Sequence, residues 1–177
     1  VLRLTIDRRQ ATMNSLNPRA EFAGDEKRIA IDIGLSLTFG GDVLNAFDPK
    51  LHNLLFDNQT KDLAGGEAIR YPKIGPLHWQ DDMTGAKVAF DIGISAPVAF
   101  ADAKVNKFVI APQEGGTVIL SLRVQVYPTE DQIGKLAGHI QQGVTLSIEP
   151  MPLPTMQEER PSTSPTKRGK KITKAEA

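Results

Sequence analysis

EGGTVILSLRVQVYPTEDQIGKLAGHIQQGVTLSIEP, from Glu114 to Pro150, decides how the rest of the chain is read. Val118, Leu120, Leu122, Val124 and Val126 alternate with polar or small partners, the period of a half-buried strand. Thr129 with Gln132 three residues on forms a capping box, and Ile133, Leu136, Ala137 and Ile140 then fall on one helical face. Gly143 is placed to end that helix, and Val144, Leu146 and Ile148 start a further strand. Strand, covering helix and strand make one scaffold unit.

The same alternation recurs upstream. In RIAIDIGLSLTF, residues Ile29, Ile31, Ile33, Leu35, Leu37 and Phe39 share one face. KVAFDIGIS repeats the pattern with Val88, Phe90, Ile92 and Ile94 inward, and Leu2, Leu4 and Ile6 mark a short first strand. Clean alternation favours antiparallel pairing with one wetter face. KFVIAPQEGGTVIL predicts a hairpin whose reversal uses the paired glycines before Thr117, and DNQTKDLAGGEA predicts a wider loop. A second helix is expected from Asp48 as N-cap and Pro49 as first helical residue, with Leu51, Leu54 and Leu55 following.

The fold class expected is therefore α+β: a twisted, mainly antiparallel sheet of about six to eight strands covered by two helices. Residues 1–149 are read as a single domain. Residues 150–177, rich in Pro, Ser, Thr and Lys, are read as a flexible basic tail. From residue 151 onward six basic residues face three acidic ones, a charge of +3 that leaves −3 on the body of a chain with no net charge. Bulk positive charge on the body drives no binding.

Composition narrows the chemistry. A hydrophobic content of 40% and a charged content of 24% are those of a soluble globular protein, and no apolar run approaches the roughly 18 residues that span a bilayer. VLRLTIDRRQ alternates and then turns basic, as expected of a strand and not of a signal peptide. The absence of cysteine fits a reducing, cytoplasmic setting and removes thiol chemistry. His52, His78 and His139 stand in no ligand spacing, and Asp81-Asp82 reads as a solvated turn, so no metal or cofactor is expected. With no nucleophile elbow, phosphate loop or dinucleotide fingerprint, no enzyme activity is expected either.

Nucleic-acid binding has more to stand on. Arg123 and Tyr127 lie outward on the strand from Thr117, and Arg70, Trp79 and Lys87 complete a candidate single-strand surface of basic and aromatic residues. Lys167, Arg168, Lys170 and Lys171 would add phosphate contacts from the tail. The competing reading makes Tyr127 and Trp79 core or edge residues, Arg123 an ordinary solvated charge and the tail a solubilising one.

SLNPRAEFAGDEKRIAIDIGLSLTFGGDVLNAFDPKL, YPKIGPLHWQ and EGGTVILSLRVQVYPTEDQIGKLA together resemble a group of bacteriophage and prophage early-region proteins of no known activity. The resemblance covers most of residues 12–149 and implies a context of phage DNA metabolism or defence against the host, in a bacterial cytoplasm. Two functions are expected from it. One is a non-enzymatic accessory protein that binds single-stranded DNA or a recombination or replication partner. The other is a protein–protein interaction module that inhibits a host factor or builds a phage assembly, a homo-oligomer being left open.

Overall fold

The computed structural model describes residues 1–93 and 95–154; the expectations for Ile94 and for residues 155–177, including the four basic tail positions, lie outside the described residues. In chain order the elements are β1 (Ile6–Ala23), β2 (Glu26–Gly40), a 3-10 helix (Gly41–Ala46), α1 (Leu51–Leu55), β3 (Phe56–Lys61), β4 (Glu67–Ile69), β5 (Leu77–Trp79), β6 (Met83–Asp91), β7 (Val98–Gln113), β8 (Thr117–Val126), α2 (Glu130–Ala137) and β9 (Gly143–Glu149).

The sheet is mainly antiparallel, as expected, but it is not covered by a layer of two helices; it closes on itself. Pairing runs β7-β6-β9-β1-β2-β8, and β8 pairs back onto β7. Six antiparallel strands thus close into a barrel, and the protein is mainly β. The inward rows of the strands cover one another, so no helical layer is needed to bury them. Ile33, Val88, Phe90, Val105, Leu120 and Leu146 lie in that core with at most 1% of their surface exposed. Strands β6, β7 and β8 form a meander and β9 returns beside β6, a Greek-key order. Among the described residues no helix is long and apolar enough to cross a membrane.

Both expected helices exist but are short and sit at the barrel ends. The Thr129 capping box forms: Thr129 Oγ1 accepts from the Gln132 N–H at 3.3 Å, and Gln132 Oε1 accepts from the Thr129 N–H at 2.9 Å. The helix stops at Ala137 with Gly138 as C-cap, and Gly143 opens β9 instead of ending α2. Of its apolar stripe only Leu136 is fully buried and Ile133 half-buried, while Ala137 and Ile140 face solvent. A helix plugging the mouth of a barrel offers its core one residue, where a helix lying along a sheet offers a whole face. At the opposite end, α1 begins two residues later than expected; Asp48 Oδ1 instead accepts the Lys50 N–H at 2.7 Å in the preceding turn.

Several strands exceed their predicted lengths. β1 runs on from Ile6 through Pro18 to Ala23, while Leu2 and Leu4 are buried without being strand. The expected wide loop is the β3–β4 hairpin, and it docks on the β7–β8 turn. A Cβ added at Gly66 would lie 2.6 Å from the Gly115 Cα, and the Gly115 N–H donates to the Glu67 carbonyl at 3.1 Å. Gly115 and Gly116 both hold positive φ, as the predicted reversal requires.

Candidate interaction surface

Outward side chains of β7, β8, β2 and β1 link into one polar ladder. Its first rung is Lys104 Nζ to Asp82 Oδ2, at 2.7 Å. Arg123 Nε donates to Asn106 Oδ1 at 3.0 Å, and Arg123 Nη1 reaches Asp32 Oδ2 at 3.5 Å. Arg19 Nε lies 3.3 Å from the same Asp32 oxygen, and Arg19 also pairs with Glu21. Glu21 Oε2 then accepts from the Tyr127 hydroxyl at 2.8 Å, and the Arg28 guanidinium stacks 3.8 Å above the Tyr127 ring. Strand register makes this possible, since Asn106 and Gly34 both face Arg123, Asn17 faces Asp32, and Glu21 faces Arg28. Half-exposed pairs of this kind contribute about 0–1 kcal/mol each, so their main effect is to fix side-chain direction.

The Lys104 hydrogen bond holds the Asp82 carboxyl below its ordinary value of 3.8, with weaker help from Asn106 and the Arg123 charge. A depressed carboxyl adds stability that is present above the ordinary value and is lost as pH falls through the folded one. Asp82→Asn should therefore lower the urea midpoint slightly at neutral pH. The gap to the unsubstituted protein should close once the pH falls below the folded value; a gap that persists there would give the residue a role other than this ion pair.

The ladder ends at a projecting ribbon. β9 pairs with β1 only as far as Thr12, and β8 pairs with β2 only from Ile31. Among the described residues, the two strands between Arg19 and Ala30 therefore have only each other, joined at Gly24-Asp25 with Gly24 at φ 66°. Pro18, Ala20 and Phe22 on β1, with Ile31, Ile29 and Lys27 opposite them, continue the face that lines the barrel interior. Beyond the barrel mouth that face is bare: Phe22 is 72% exposed and Ile29, expected inward, is 41% exposed.

The outer edge of β1 is open too. The Met13 N–H donates to the Gln142 carbonyl at 3.0 Å and its C=O accepts from the Gln141 N–H at 2.7 Å, so both groups point away from β2. Its partner Leu35 is then a non-hydrogen-bonded position of the β1–β2 ladder. Alternation along β2 directs Gly34, Asp32, Ala30 and Arg28 at β1. Leu16, Pro18, Ala20 and Phe22, which face the other residues of β2, turn their backbone groups to the open edge. Pro18 thus has its missing N–H where no ladder bond is lost.

Of the described residues picked out in the sequence, only Arg123 and Tyr127 belong to this surface. Lys87 is on β6, opposite Glu149 of β9. Its neighbour Val88 faces Phe100, six positions along β7 from the Asn106 that faces Arg123, which is roughly 20 Å of strand. Arg70 caps the far end of the barrel, donating to the Asn53 carbonyl at 2.9 Å and the Phe56 carbonyl at 3.2 Å. Trp79 is half-buried, its ring edge-on to Phe47 at 5.8 Å. Arg19, Arg28, Asp32, Asn106 and Phe22 were not picked out, although Gly24-Asp25 between two strand-like runs is a hairpin signal.

Asp81, expected in a solvated turn, accepts the Leu2 N–H at 3.2 Å and the Asp82 N–H at 2.9 Å. Among the described residues no group of three or more His, Asp or Glu side chains is arranged to hold a metal ion. Comparison with protein-family models, with curated proteins and with solved structures finds no match to this chain.

Proposed function

We propose that this is a non-catalytic binding protein whose barrel carries the β1–β2 ribbon as an arm that docks onto another protein by strand addition. The observation behind the reading is the open β1 edge beside the exposed Phe22 ring. An unpaired row of N–H and C=O groups supplies affinity in such docking, and neighbouring side chains supply specificity. The ion-pair ladder holds the root of the arm, so that little ordering remains to be done on binding. The phage resemblance points to a phage or host protein as the partner.

A photoreactive phenylalanine analogue at position 22 of the full chain tests this in the bacterial host. The expected result is a nuclease-resistant protein adduct, with none from the same probe at Leu63, which is more exposed than Phe22 but lies in the β3–β4 turn. No adduct at 22, or equal yields at the two positions, would overturn the reading.

The Arg28–Tyr127 stack beside Arg19 and Arg123 favours a second reading, single-stranded DNA laid across this face. Against it, each of these arginines already meets a carboxylate. If DNA is the ligand, Tyr127→Ala should cost about 1–3 kcal/mol of affinity on any base sequence. Affinity should also fall with salt, with a log–log slope of about −0.7 per phosphate neutralised. Binding that vanishes on deleting residues 155–177 and ignores Tyr127→Ala would remove the barrel face from consideration.

A further inference from the structure

Resting on the docking reading, we propose that the strand completing the arm is β1 of a second copy of this chain, paired antiparallel about a two-fold axis through Ala20. A two-stranded ribbon is marginal in water, whereas three or more strands with an apolar face are stable. Two arms joined edge to edge make a four-stranded sheet. Its one apolar face holds Pro18, Ala20, Phe22 and Ile29 from each copy, the same residues that are bare in the single chain.

The residues of the edge select the axis. Backbone groups that face outward must meet groups that face outward, so the axis passes through a residue and not between two. An axis at Arg19 or at Glu21 sets like charges directly opposite each other, which destabilises a strand pair. An axis at Pro18 brings two residues without N–H groups face to face. An axis at Phe22 leaves only the ribbon tip to overlap. At Ala20 every choice agrees. Arg19 faces Glu21 of the second copy, Pro18 packs on its Phe22 ring, and the two Ala20 residues exchange their hydrogen bonds. The Phe22 N–H of each chain donates to the Pro18 carbonyl of the other. An isologous contact of this kind closes on itself and ends at the dimer.

The chain has no cysteine, so Ala20→Cys introduces its only thiol. Two such residues on the axis have Cα atoms about 5.5 Å apart, within disulfide range. Mild oxidation of the full chain should link Ala20→Cys into a dimer and leave Ala23→Cys, about 20 Å from its counterpart, unlinked. Sedimentation of the unsubstituted protein should show its mass doubling as concentration rises. Arg19→Glu should abolish the doubling, and Arg19→Glu with Glu21→Arg should restore it. A single mass at every concentration, with Ala20→Cys linking no faster than Ala23→Cys, would overturn the proposal. In that case a position-22 adduct with a different protein leaves the docking reading standing, and the absence of any adduct removes both.

Discussion

Phe108→Ala is expected to lower the free energy of unfolding by about 3–5 kcal/mol, the largest effect of any single truncation considered. Phe108 is 1% exposed on β7, directly after Lys107, whose φ of 52° marks a break in the pairing with β8. Its ring meets Phe47 edge-on at 5.6 Å, and its backbone pairs with Trp79 of β5. This residue therefore ties the barrel wall to β5 through its backbone and to the segment after β2 through its ring. Alanine there leaves a cavity between three separately tethered pieces, none free to collapse into it. Guanidinium denaturation should show a lower midpoint with an unchanged slope. A loss below about 0.5 kcal/mol, the level of an ordinary surface change, would mean that this aromatic cluster does not close the wall.

Leu136→Ala should cost about 2–5 kcal/mol. Leu136 is the one fully buried residue of α2, and the helix is pinned on both sides. Thr129 and Gln132 fix its start, and the bonds between Met13 and Gln141 and Gln142 fix the chain beyond its end. With both flanks held, α2 cannot settle into the space the side chain leaves. Near-silence in the same denaturation measurement would show that α2 lies on the barrel mouth without closing it.

The alternating runs Ile31–Phe39 and Val118–Val126 were legible as strands, and they pair with each other as β2 and β8. Closure was not legible. Period-two alternation describes a strand with one buried face, and that face looks the same under a helix layer and inside a barrel. The first half of β7 was hidden because it slips phase: Phe100 and Ala103 both point inward although three residues apart, across a register shift with β6. In the far half of β1, Asn17 and Pro18 are residue types that seldom sit inside a ladder. They are strand only because the outer edge there has no partner to lose. The surface was half legible for a topological reason. Asp32 and Arg123 stand 91 residues apart and meet because β2 and β8 are neighbours, a relation no local spacing records.

Hydrogen exchange of the ribbon amides, followed residue by residue in the full chain, tests most directly whether the outer edge of β1 is an open ladder that a second strand completes. In dilute solution the Arg19 and Glu21 amides, which face β2, should be protected, and those of Ala20 and Phe22 should exchange as open groups. Raising the protein concentration should bring protection to Ala20 and Phe22. Equal protection of all four amides in the dilute monomer, or exchange at Ala20 and Phe22 that no concentration slows, would contradict the account.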